Sequence, residues 1–184
     1  MQIKAWLYFW ALGLIWGSSF LFIRVGVSEL HPFHVVLIRT GIAAVGLCLV
    51  IILGRKRIPR DKGLLIKIAL VGLGNVAIPF TLISWGEQSI DSGLAAVLQA
   101  TAALFGLIVA HFFFVDERIT QQRAIGIILG FIGVAVLMSR NWQDGQLVVG
   151  SLLGGLAIVG ASVFYATATT LGRKVMQGEV EPIV

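Results

Sequence analysis

An all-α membrane protein, a polytopic bundle of about six transmembrane helices, is the fold class that this sequence predicts, and three observations predict it. The 184 residues are 58% hydrophobic and 12% charged, with a mean hydropathy of +0.95, which is more apolar surface than a water-soluble domain hides. Six apolar runs, near residues 5–26, 33–53, 64–86, 90–115, 123–139 and 148–172, approach the roughly 20 residues that a helix needs to cross about 30 Å of hydrocarbon. Strand-type alternation appears nowhere over a useful length, which argues against a transmembrane barrel.

The first run follows Lys4. It is longer than the apolar core of a signal peptide and has no A-x-A site near its end, so it reads as an uncleaved helix. The second carries Arg39 near its start and closes on GRKR. In the third, Pro79 has no N–H to offer the carbonyl of Asn75, and the helix is expected to bend there. The fourth holds QATAALF, the fifth ends near Ser139, and the sixth carries GASVF. The separators SELHP, GRKRIPRDKG, EQSID, DERITQQ and RNWQDGQ are polar or turn-forming, which suits short loops between antiparallel neighbours.

A net charge of +5 does not make a nucleic-acid face, because the basic residues cluster at the ends of apolar runs. Counted by alternate loops, eleven of the fourteen Lys and Arg residues fall on the side of the N-terminus; Arg24, Arg39 and Arg140 are the others. The positive-inside rule then places the N-terminus in the cytoplasm of a multi-pass plasma-membrane protein, with a bacterial inner membrane as the expected location. Cys48, the single cysteine, lies within an apolar run and reads as a small packing residue.

The polar residues at membrane depth are the candidate substrate-binding set. Arg39 lies roughly 9 Å below the start of its run at 1.5 Å per residue. One reading has it snorkelling to the headgroups. The other turns it inward on a stripe with Ala43, Gly46 and Val50, to attract an anionic group or pair with Glu87. Asn75, Ile78, Leu82 and Trp85 follow helical spacing and share a face, so the Asn75 amide is either satisfied by a neighbouring helix or presented to a ligand. Trp16, Ser18 and Ser19, then Gln99 and Thr101, then Ser162 and Tyr165 complete the inventory. For the hydroxyls a bond to their own helix backbone is the competing reading. Trp6, Tyr8 and Trp142 suit an interfacial belt.

An enzyme finds little support. His111 and Asp116 are spaced as H-x-x-x-x-D, but five residues on a helix are roughly 140° apart, and His111 reads better as a packing or capping group. No metal-ligand cluster, nucleophile elbow or phosphate-binding glycine loop accompanies it, and no cofactor or metal is expected. The pairs Gly13 with Gly17, Gly126 with Gly130 and Gly150 with Gly154 would allow close helix contacts.

WGSSF at Trp16 to Phe20, the early arginine of the second run, NVAIPFTLISWGEQSIDSGLAAVLQATAALF from Asn75 to Phe105, and DERIT at Asp116 to Thr120 together resemble the EamA family of the drug/metabolite transporter superfamily. The likeness covers essentially the whole chain, and Asn75 to Thr120 is its most specific part. It implies ten helices in two inverted five-helix repeats around a substrate cavity, and an exporter or permease of amino acids or other small metabolites. Ala103 stands where relatives typically have a proline. On this comparison residues 1–140 are one repeat, and residues 141–184 are a linker and the first helix of an incomplete second repeat. WGSSF is then answered by GASVF, where Ser18 with Ser162 and Phe20 with Phe164 match, and a five-helix offset inverts the second copy. The expected partners are the lipid bilayer, a small-molecule substrate, and a second repeat or partner chain. Without the latter, the sixth helix is expected to lack neighbours along its Ser162 and Tyr165 face.

Overall fold

The computed structural model describes residues 3–55, 61–139, 142–143, 146–147 and 149–179, with the side chains of 142–149 and 176–179 excepted. Lys56, Arg57, Arg60 and Arg140, which entered the charge count, and the Trp142 side chain lie outside the described residues. Among the described residues six helical stretches are long and apolar enough to cross a membrane, and they coincide with the six runs.

Helices α1 (Ile3–Glu29) and α2 (Pro32–Leu53) meet at a tight reversal. His31 there is extended, its ring Nδ1 accepts the N–H of Phe33 at 3.3 Å, and Pro32 takes the first helical position, where a missing N–H costs nothing. Helix α3 (Lys62–Gly72) begins on Asp61, whose carboxylate accepts the N–H of Leu64 at 2.8 Å.

The disturbance expected at Pro79 takes the form of a π-helical turn. Leu73–Ala77 separates α3 from α4 (Ile78–Gly86), and the N–H of Ile78 reaches back to the carbonyl of Leu73. Pro79 then falls in the first turn of α4, where its ring is tolerated. The fourth crossing is also divided, into α5 (Ser92–Gln99) and α6 (Thr101–Phe113). No proline causes this break. The N–H of Ala100 is shared between the carbonyls of Ala96 and Val97, each at 3.2 Å, and its own carbonyl takes the N–H of Ala103 at 3.1 Å. A short 3₁₀ turn at Val115–Glu117 leads to α7 (Gln121–Ser139). Two-residue strands β1 (Trp142–Gln143) and β2 (Gln146–Leu147) pair antiparallel before α8 (Val149–Glu179).

Helix α8 is the axis of the bundle, packed most extensively against α4 and α6. Small residues allow it: a Cβ added to Gly86 would come within 2.6 Å of the Gly154 carbonyl oxygen, and one on Gly155 within 3.0 Å of Met138. Around this contact Ile23, Val27, Ile83, Ile90, Ala95, Leu98, Ile158 and Ala161 form the apolar core. The expectation of an unpartnered Ser162 and Tyr165 face is therefore corrected: Ser162 is fully buried, and Tyr165 packs on Phe80 with ring centroids 6.3 Å apart.

The periphery is apolar and open. Large side chains along α1 and α2, among them Leu14, Phe22, Ile42 and Leu53, are exposed, as suits a lipid-facing surface. The predicted small-residue stripe turns inward only at Arg39, since Ala43, Gly46 and Val50 are exposed. Gly13, Gly17 and Gly126 meet nothing within 4 Å, whereas Gly130 packs against Leu104 and Gly154 against Ser89 and Gly86.

Candidate functional site

A cavity of about 800 Å³ lies between α1, α2, α4, the divided fourth crossing and α8. One wall exists because the sequence supplies almost no side chain there. Ala96, Ala100, Ala103, Gly106 and Ala110 recur at helical spacing and line the cavity from α5 and α6. Ala103 is thus a cavity residue. The facing wall is aromatic and aliphatic, with Trp16, Phe20 and Ile23 from α1, Phe80 and Ile83 from α4, and Tyr165 from α8.

Polar groups are few and separated along this space. Arg39 enters from α2, its guanidinium carbon 4.2 Å from the centroid of the Phe80 ring. It holds a cation–π contact, and the Tyr165 ring tilts against the same Phe80 ring. Ser19, Gln99, Thr169 and Thr170 also line the cavity. At the other end stands Arg173 of α8, which pairs with Glu117 and places its guanidinium carbon 4.4 Å from the Phe114 ring centroid.

Five of the eight predicted site residues meet here: Trp16, Ser19, Arg39, Gln99 and Tyr165. Asn75, Trp85 and Thr101 do not line the cavity. The Asn75 side-chain oxygen accepts from Thr169 at 3.2 Å, so a neighbouring helix satisfies it. Trp85 points outward and is 46% exposed. Thr101 is buried and donates to the Leu98 carbonyl of its own turn at 2.7 Å. Ser162 likewise donates within α8, to Ile158 at 3.1 Å, and Ser18 to Ile15 at 3.1 Å. His111 is a cap: its Nδ1 accepts the N–H of Ile119 at 3.0 Å. No metal-ligating group of three or more side chains occurs among the described residues.

Pairing of Arg39 with Glu87 is replaced by another arrangement. Glu87 lies one residue past the third crossing, is fully buried, and neither carboxylate oxygen has a hydrogen-bond partner. Its backbone carbonyl, not its side chain, accepts from the Arg24 guanidinium. Burial pushes the Glu87 carboxyl up from 4.5 to about 8, against the opposing pull of Arg24 and then Arg39.

Sequence reasoning missed the alanine wall, Phe80, Thr169, Thr170 and the Arg173–Glu117 pair. Glu117 sits in DERIT, so that motif carried a signal; the small-residue spacing from Ala96 to Ala110 was the other.

Residues 3–139 match the model of the EamA-like transporter family. An uncharacterized transporter of Archaeoglobus fulgidus is 29% identical over 181 residues, covering 98% of this chain and 61% of that protein. The uncharacterized inner membrane transporter YedA of Escherichia coli K12 is 31% identical over 174 residues, 93% of this chain and 56% of its own. A protein of Streptantibioticus cattleyicolor named a probable terminal-alkyne amino-acid exporter is 30% identical over 168 residues, 89% and 56% respectively. The chain thus spans between 56% and 61% of the length of these relatives. No solved structure matches it. A multi-pass α-helical chain with a cavity inside its bundle and a family match over most of its length, it belongs to the EamA-like transporter family.

Proposed function

We propose that this chain carries a small amphipathic metabolite, such as an amino acid with an apolar side chain, across a cell membrane by alternating access, as an exporter or permease. The supporting observation is the cavity: about 800 Å³, mostly apolar, with the Arg39 cation held against the Phe80 ring, which Tyr165 also packs on. A carboxylate on Arg39 and an apolar body against the alanine wall satisfy both kinds of surface at once. The relative named as an amino-acid exporter supports the substrate class. In this reading the membrane is a bacterial inner membrane, the N-terminus is cytoplasmic, residues 1–140 are a five-helix repeat, and no reaction is catalysed.

A second reading rests on the share of the relatives that is matched, 56% to 61%. Here the chain is an incomplete unit, inactive until a second repeat or partner chain joins it. Proteoliposomes of the purified 184-residue chain, loaded with labelled leucine, distinguish the two. Saturable flux from this chain alone supports the carrier; leak-level flux that rises when a second five-helix unit is co-reconstituted supports the incomplete unit.

A further inference from the structure

Glu87 is a feature that the transport reading leaves unused. It ends α4 one helical turn beyond Ile83, and Ile83 lines the cavity. Across from it, Ile23 also lines the cavity and the adjacent Arg24 holds the Glu87 backbone. Glu87 is thus one turn from the substrate space, sealed from solvent at 0% exposure, with two carboxylate oxygens that no donor reaches.

A carboxylate left in that state is costly, because buried charge requires donors or a counter-ion. Protonation removes the charge. The charged groups that bear on it are Arg24 from α1 and Arg39 from α2. The other elements bring none: α4, α5 and the stretch of α8 from Val149 to Gly172 contain no Asp, Glu, Lys, Arg or His. Arg24 is committed to the Glu87 backbone carbonyl and Arg39 to the Phe80 ring, so neither occupies the carboxyl group.

We propose that Glu87 is a proton-binding site linked through Arg39 to the cavity, so that an anionic group seated on Arg39 draws a proton onto Glu87. The linkage follows from charge. With Arg39 free, its positive charge favours the Glu87 carboxylate; once an anion neutralises Arg39, that support is lost and the carboxyl form gains. Proton and anion then enter the same conformation together. By reciprocity, protonated Glu87 leaves Arg39 as an uncompensated cation and strengthens its hold on the anion. The inference rests on the reading of Arg39 as the anion-binding group of the cavity.

The test is an infrared pH titration of the full chain in lipid nanodiscs, following the carboxylic-acid C=O band. Wild type should show a band that titrates near pH 8 and disappears in Glu87→Gln, a variant whose neutral side chain suits the buried site. Arg39→Ala should move the midpoint up by about one unit, and Arg39→Lys should move it less. Phenylacetate, an apolar carboxylate, should raise the midpoint in wild type and not in Arg39→Ala. Absence of an alkaline-titrating band lost in Glu87→Gln overturns the proton site, and a midpoint indifferent to Arg39→Ala overturns its link to Arg39. A midpoint that moves in Arg39→Ala but ignores saturating phenylacetate overturns the anion link. None of these readouts needs flux, so they stay separate from the failure of the transport reading.

Discussion

The guanidinium carbon of Arg39 lies 4.2 Å from the centroid of the Phe80 ring, which holds a cation from α2 against an aromatic face of α4 inside an apolar cavity. That contact holds the cation on the ring, and a guanidinium offers five N–H donors in a fork that a carboxylate ligand can engage.

Arg39→Ala is therefore expected to lower flux of an amino-acid substrate by about tenfold to a hundredfold, the loss of one charge-assisted contact. Arg39→Lys should fall between it and wild type, since the charge stays while the planar fork of donors is lost. Initial rates in vesicles, normalised to inserted protein, check this. Unchanged rates in Arg39→Ala would place the arginine outside substrate binding.

Stability should fall as pH rises through Glu87. Its carboxyl is raised from 4.5 to about 8 in the folded chain, so between those values the folded state holds a proton that the unfolded state has released. Folding is then favoured at the acidic end of that window and weakened toward the alkaline end. Thermal melting in detergent across the window should show this slope in wild type and a flatter one in Glu87→Gln.

Helix contact at Gly86 and Gly154 should tolerate no methyl group. A Cβ on Gly154 would come within 2.7 Å of the Gly86 carbonyl oxygen, whereas one on Gly13 meets nothing within 4 Å. Gly154→Ala should cost about 1 to 3 kcal/mol. Gly13→Ala should be neutral or slightly stabilising, since alanine favours a helix by about 0.5 to 1 kcal/mol over glycine. Melting temperatures of the two variants decide it, and equal effects would contradict the packing.

Topology can be read by cysteine labelling in a Cys48→Ala background. Cysteines placed at Lys62 and at Gln88 should differ in intact cells: with the basic loop on the cytoplasmic side, as the positive-inside rule predicts, an impermeant reagent labels the second and spares the first. Labelling of the position at Lys62 would reverse the orientation.

The six crossings were legible because each is a run of apolar residues long enough to declare itself. Arg39, Gln99 and Tyr165 were legible as cavity residues because a polar group in an apolar run is conspicuous. The alanine wall was not read, since no single alanine from Ala96 to Ala110 carries a chemical signal of its own; only their spacing does, and they matter through the volume they leave empty. Trp85 was misplaced for a geometric reason. Its shared face with Asn75 assumed an unbroken α-helix, and the π turn at Leu73–Ala77 holds a surplus residue that rotates the rest of the crossing by about 100°. Nor does any local pattern announce that Asn75 meets Thr169, far along the chain.

The break at Ala100 differs in kind from one made by proline. A proline ring would forbid the regular hydrogen bond permanently, whereas Ala103 keeps its N–H and spends it on the Ala100 carbonyl at 3.1 Å. The joint between α5 and α6 is therefore held by exchangeable bonds, and straightening it costs only the difference between two hydrogen-bonded states. Since Ala96, Ala100 and Ala103 span that joint and line the cavity, any straightening of the joint would reshape the wall they form.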